Sequence, residues 1–209
     1  MDFSLSKGER DIVAEVREYI ASEATDALRE ELATNETVYG GPLSRAFIKP
    51  FAARGWLVPN WPRQYGGLES SEMVSYLIRD ELAQADIVIA FAGAHMGGPM
   101  ILRDGSEAMK QEFLPRLASG EIEFCLGYSE PAAGSDLMGL KMQAEDRGDH
   151  FVVNGQKIFN THAHVADYHW LAVRTDPTVP KHHGISILVV DLDTPGITIR
   201  PLHTMAGSR

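Results

Sequence analysis

The feature that most constrains this chain is a change in the spacing of its apolar residues near position 120. Upstream, the spacing is helical. Ser6 and Glu9 form an S-x-x-E capping box, in which each side chain can satisfy an open amide of the other's turn. Behind it Ile12, Val13, Val16, Tyr19 and Ile20 recur on one face, with charges opposite. A second helix is expected within Leu43 to Arg54, stopping at Gly55, with Pro50 either kinking it or marking a fresh start. A third begins near Ser71 and carries Val74, Leu77, Ile78, Leu82 and Ala85 on one stripe. Ile87 to Leu102 is apolar nearly all round, which predicts a buried helix. A fifth helix follows Asp104-Gly105 and turns Met109, Phe113 and Leu117 inward, while Trp61 to Gly67 reads as a loop.

From Glu121 the period becomes two. Phe124 to Tyr128 is a short strand that runs into a Pro/Gly/Ser loop. Phe151 to Val153, then Asn154-Gly155, then Gln156 to Thr161 predicts a hairpin, because Asn-Gly suits a type I′ turn. Trp170 to Arg174 and Ile185 to Val190 are further strands, and Pro195-Gly196 turns into Ile197-Thr198-Ile199. Strands with no helix between them suggest an antiparallel barrel or sandwich. The expected class is α+β: a helical domain over 1–120, then a small antiparallel β-barrel or sandwich domain over 121–209.

Composition narrows the function. The chain has 209 residues, 44% hydrophobic and 23% charged, the proportions of a globular protein. A formal charge of −10 argues against a nucleic-acid partner, which needs a basic footprint. It leaves room for an anionic small ligand held by a local cluster of donors. Cys125 is the single cysteine, so no intrachain disulfide forms and a cytoplasmic location is expected. The first residues lack the layout of a signal peptide, and the longest uncharged apolar run, Ile87 to Ala94, is too short to insert in a membrane. There is no G-x-G-x-x-G after a strand, no P-loop, no C-x-x-C and no H-E-x-x-H.

The informative stretch is Tyr128-Ser129-Glu130-Pro131-Ala132-Ala133-Gly134-Ser135-Asp136. A strand delivers two hydroxyls into a turn shaped by Pro131 and Gly134. Ser129, Ser135 and the amides around Gly134 can donate to anionic or carbonyl oxygens. Taken alone, the nonapeptide also reads as a Ser-rich surface turn. It is followed by Asn154-Gly155-Gln156-Lys157-Ile158-Phe159-Asn160-Thr161 and by Asp193-Thr194-Pro195-Gly196-Ile197, and preceded by Gly93-Ala94-His95 and a Lys110 to Gly120 helix. This ordered set resembles the acyl-CoA dehydrogenase family across essentially the whole chain. Each piece is weak, and the order and spacing together are specific.

The resemblance implies FAD as cofactor and α,β-dehydrogenation of an acyl-CoA thioester as reaction. It implies that Leu126, Tyr128 and Ser129 line the flavin, with Ser129 donating to the ring. Gly134 and Ser135 would meet phosphates of the flavin or of coenzyme A, so Ser135 is also a candidate for substrate binding. In the triplet Phe159-Asn160-Thr161, Phe159 stands where the family usually has Trp, and Thr161 matches the Thr at the flavin edge. Phe keeps a flat apolar wall and loses the indole N–H. The family's base is a glutamate of a C-terminal helical domain to which nothing here corresponds. No catalytic residue is therefore assigned; Glu130, beside the loop, has a structural counterpart in the family. The resemblance further implies an electron-transfer flavoprotein or similar acceptor, a homo- or hetero-oligomer, and little activity from residues 1–209 alone. A fragment, a partial gene product and a subunit completed by another chain all fit that reading.

Two rival readings remain. The same fold serves flavin oxidases and monooxygenases. Separately, His162, His164, Asp167 and His169 lie close in sequence, and a metal could be held by the three histidines if His162 and His164 shared one face of a strand. His182-His183 reads as exposed loop. The loop and the Lys181 to Asp191 strand look most like bacterial members, some of which act on steroid side-chain thioesters as two-gene heteromers.

Overall fold

A computed structural model describes residues 4–34, 41–88 and 91–205. The chain divides into two compact units, one holding the residues up to Glu123 and the other Phe124–Thr204.

The first unit is helical. Helix α1 spans Lys7–Glu23 and opens on the expected capping box: the Ser6 amide donates to Glu9 Oε2 at 2.8 Å and the Glu9 amide to Ser6 Oγ at 3.2 Å. Helix α2, Asp26–Thr34, is an addition to the sequence reading. Thr25 Oγ1 accepts from the Leu28 amide at 3.2 Å, and Leu28 is buried beneath it. Glu31 of α2 then takes over the capping of α3, Pro42–Ala53, accepting from the amides of Leu43 at 3.0 Å and Ser44 at 2.7 Å. Pro50 lies inside α3 without ending it, and the chain turns at Gly55, whose φ of 75° is a left-handed conformation that favours glycine. Helix α4, Glu72–Gln84, packs beside α1, tied by Ser71 Oγ to Glu9 at 2.6 Å and by an Arg17–Glu81 ion pair.

The apolar stretch from Ile87 to Leu102 is not one helix buried all round. Residues 89 and 90 lie outside the described residues. The rest forms a π turn, Gly93–Gly97, running into α5, Gly98–Asp104. Val88, Met96 and Met100 are exposed, so one face is left uncovered within this unit. The small residues serve close packing: a Cβ on Gly98 would sit 2.3 Å from the Trp61 ring. The Gly93 amide donates at 2.6 Å to the buried carboxylate of Glu123. Helix α6, Glu107–Ala118, is capped by Ser106 and buries Phe113 and Leu117 as expected.

The second unit is one five-stranded sheet: β1 Phe124–Gly127, β2 Gln143–Asp146, β3 Phe151–Asn154, β4 Tyr168–Arg174 and β5 Ile185–Asp191. It is mixed, where an antiparallel arrangement was expected. Strand β5 runs antiparallel along one edge of β4, from Tyr168↔Asp191 to Arg174↔Ile185. The other edge is shared. β1 pairs parallel with its first half, Phe124↔Tyr168 to Gly127↔Leu171, and β2 joins parallel at Gln143↔Arg174. The chain leaves β1, makes the 128–142 loop, and returns to the same edge as β2, and both strands run parallel to β4.

Three local expectations differ from the structure. Asn154-Gly155 is not a hairpin turn, because β3 pairs backward with β2 (Gln143↔Asn154, Asp146↔Phe151). The turn lies at 147–150, where the Arg147 amide donates to the His150 carbonyl at 2.9 Å and Gly148 takes φ 93°. Gln156 to Thr161 is not a strand. Neither is Ile197 to Ile199, although Pro195-Gly196 does lie in the preceding turn region.

Candidate cofactor site

The 128–136 loop and the Phe159–Thr161 triplet are joined within the second unit by a polar junction. The Ile158 amide donates to the Ser129 carbonyl at 2.9 Å. One residue earlier, Lys157 Nζ donates to the Tyr128 carbonyl at 3.1 Å and to Glu130 Oε1 at 2.9 Å. The two ion-pair side chains are only 3% and 7% exposed, for Lys157 and Glu130 respectively. Glu130 also accepts from the Lys141 amide at 2.7 Å and the Met142 amide at 3.0 Å, which closes the loop's far end. Burial alone would raise its carboxyl, but the Lys141 amide, the Lys157 ammonium and the Met142 amide outweigh this and hold it below the ordinary carboxylate value. A short bridge, Glu130 N to Ala133 O at 2.9 Å and back at 3.1 Å, shapes the turn between.

Around this junction the sequence-derived candidates divide into two sets. Leu126 and Tyr128 are half-buried on or just after β1, where the Tyr128 hydroxyl accepts from Trp170 Nε1 at 3.0 Å. Ser129 is half-buried between the junction's anchors. Gly134 and Ser135 are exposed at the loop tip, and the adjacent Asp136 is paired with Lys181 Nζ at 2.8 Å. Phe159 is 71% exposed and Thr161 is exposed. Phe159 takes φ 58° and His162 φ 63°, a left-handed conformation uncommon for any residue but glycine and costing about 1–3 kcal/mol each. The left-handed turn at Phe159 thus holds an aromatic ring on the surface of the unit.

Asn160 adds a second tie that the sequence did not reveal. Its Oδ1 lies 2.7 Å from His169 Nε2 on β4. Burial, with the Lys157 charge assisting, pushes His169 down to about 4, so the ring is neutral near pH 7, and since the amide oxygen only accepts, this bond takes the tautomer with its proton on Nε2. The bond uses the amide's oxygen and leaves its two N–H donors for other partners. Across β1, a Cβ on Gly127 would sit 2.1 Å from His169 Nε2, so only glycine leaves the imidazole in place. Gly127→Ala is therefore expected to push the ring off Asn160 and cost about 1–3 kcal/mol in denaturant unfolding. In a His169→Ala background the same substitution should cost almost nothing. An equal cost in both backgrounds would show that the clash lies elsewhere.

The histidines do not assemble a metal centre. His162 and His164 fall in turns, not on one face of a strand, and His169 is engaged with Asn160. Among the described residues no three His, Cys, Asp or Glu side chains converge as a metal site requires. Burial and the neighbouring His164 lower His162 below its ordinary value.

Comparison with known proteins gives the same frame. The model of the acyl-CoA dehydrogenase N-terminal domain matches residues 6–121, and that of the middle domain matches 125–209. Acyl-CoA dehydrogenase FadE29 of Mycobacterium tuberculosis is 40% identical over 208 residues, which is 100% of this chain and 53% of FadE29. One chain of the ChsE4–ChsE5 complex from M. tuberculosis superposes with a TM-score of 0.87 at 39% identity, over 100% of this chain and 52% of that one. The Tcur3481–Tcur3483 steroid ACAD gives 0.86 at 38%, over 100% and 54%. The chain thus spans about half the length of the relatives it matches. With both domain models matched in order and a full-length alignment at this identity, the chain belongs to the acyl-CoA dehydrogenase family.

Proposed function

We propose that this chain supplies the flavin-facing wall of an FAD-dependent acyl-CoA dehydrogenase. The observation that carries the reading is the Ser129–Ile158 main-chain bond, which brings the flavin-loop motif and the Phe159–Thr161 triplet to one place. The residues present suit the cofactor. Phe159 offers a flat apolar face for a ring, and Ser129 and Thr161 offer hydroxyls to its carbonyl and nitrogen edge. Gly134 is exposed, and a Cβ there would meet nothing within 4 Å, so its backbone is open to an anionic group with Ser135 beside it.

Bound there, FAD would supply the hydride acceptor for dehydrogenation of the thioester. The chain's own residues orient the ring and exclude water from one side. Glu130 does not serve as the base for the α-proton: the carboxylate is buried, three donors occupy it, and they stabilise its charged form. The base is accordingly assigned to residues outside this set, within the same protein or a partner subunit. The likeness to a chain of a two-component complex and to a steroid ACAD supports a hetero-oligomer acting on a bulky, steroid-type acyl-CoA. An electron-transfer flavoprotein or similar acceptor would take the electrons on, and a cytoplasmic location agrees with Cys125, buried, being the single cysteine of the chain.

The test is acyl-CoA-dependent bleaching of flavin absorbance in the whole protein that contains this chain, against residues 1–209 alone with excess FAD. The whole protein should bleach and the isolated residues should not. Ser129→Ala and Thr161→Ala should each weaken FAD binding by roughly 1 kcal/mol. A colourless whole protein that takes up no FAD would overturn the reading.

A further inference from the structure

The junction beneath the flavin loop is built more heavily than a loop anchor requires. Three consecutive residues, Tyr128, Ser129 and Glu130, are each bonded to one of two consecutive residues, Lys157 and Ile158. The carbonyl before Ser129, its own carbonyl and the side chain after it are all fixed from the same place. Immediately beyond Ile158, the backbone enters the left-handed turn at Phe159 that exposes the ring. Lys157 is thus the point at which the position of Ser129 is converted into the position of Phe159 and Thr161.

We propose that Lys157 is a positioning residue for the cofactor, setting the register between the Ser129 hydroxyl and the Phe159–Thr161 edge through its bond to the Tyr128 carbonyl. The inference rests on the flavin reading above. A charged side chain suits the task because one ammonium can serve the Tyr128 carbonyl and the Glu130 carboxylate together. Glu130 has a separable role. It balances the buried charge and closes the loop onto the amides of Lys141 and Met142.

That division makes positioning distinguishable from stability. Lys157→Met leaves Glu130 buried without its counter-charge, so it should lower both the melting temperature and the affinity for FAD. Lys157→Met combined with Glu130→Gln removes the uncompensated charge. The double variant should therefore melt above the single one, yet still bind FAD about tenfold more weakly than wild type, with an altered visible flavin spectrum, because the Tyr128 tie is still missing. Hydrogen exchange at the Ile158 amide, followed in the whole protein without FAD, should be faster in the double variant than in wild type. If Lys157 only stabilises, affinity will recover along with the melting temperature. Binding within twofold of wild type and an unchanged spectrum in the double variant would overturn the proposal. If the wild-type protein takes up no FAD, the flavin reading fails. The exchange rate at Ile158 then still reports whether Lys157 fixes the segment, and an unchanged rate would sink that claim too.

Discussion

Between pH 6.5 and about 4, His169 alone is expected to remove up to ~3 kcal/mol of stability from the β unit. Unfolded, the imidazole takes up its proton near pH 6.5; folded, it resists until about 4 because burial and the Lys157 charge oppose a second cation there. Within that window the unfolded chain binds more protons than the folded one. Stability therefore rises with pH through the window, is complete above it, and is lost as the pH falls. His162, in the same unit, is also lowered, chiefly by burial, and adds to the same slope. Glu130, lowered in the fold, acts at more acid pH, where its contribution disappears as the carboxylate is protonated. Denaturant melts at successive pH values should show the slope, and His169→Gln should flatten it while keeping an N–H for Asn160. An unchanged slope in that variant would remove His169 from the account.

Trp61→Ala should cost the helical unit about 3–5 kcal/mol. Trp61 is 3% exposed, its ring packed against Gly98 and its backbone against Gly67. A Cβ on Gly67 would lie 2.1 Å from the Trp61 carbonyl, and one on Gly98 2.3 Å from the ring. Removing the ring leaves a cavity that a backbone lined by glycines cannot fill. Gly98→Ala errs in the opposite direction and should cost about 1–3 kcal/mol through overpacking. Combining the two should cost less than the sum, since the new methyl enters the space the ring vacated. Strict additivity in urea melts would contradict this packing.

What the sequence disclosed and what it concealed follow from the range of the forces involved. The capping box of α1, the Gly55 stop and the apolar strands β4 and β5 depend on neighbours in sequence, and all appear where expected. Helix α2 escaped notice because its signal is thin: one buried leucine and a Thr25 cap. Strand β2 reads Gln-Ala-Glu-Asp with only Ala144 buried, so no apolar alternation announces it. Without β2 in view, β3 had no partner upstream, and Asn154-Gly155 looked like its turn. The stretch Asp146-Arg147-Gly148-Asp149 carried an equally good turn signal, and the Gly148 amide indeed donates to Asp146 Oδ1 at 2.7 Å. At the candidate site, the motif residues were legible as a pattern. Their supports were not: Lys157 and Glu130 are separated by 27 residues in the chain, and Asn160 and His169 meet across a fold that local spacing does not encode.

The shared edge of β4 has a consequence in time. Strand β1 emerges early in the β unit, but its register partner, beginning at Tyr168, is made only after the 128–142 loop, β2 and β3. At about 5–20 residues per second, the ribosome leaves β1 waiting some seconds for that partner. Helices close upon contacts made nearby, so the preceding unit can settle during the wait. The apolar residues Phe124, Cys125 and Leu126 spend it uncovered by β4, on a strand with an open edge. Nascent chains halted before β4 should accordingly be recognised by chaperones at β1 and released once Arg174 has cleared the exit tunnel.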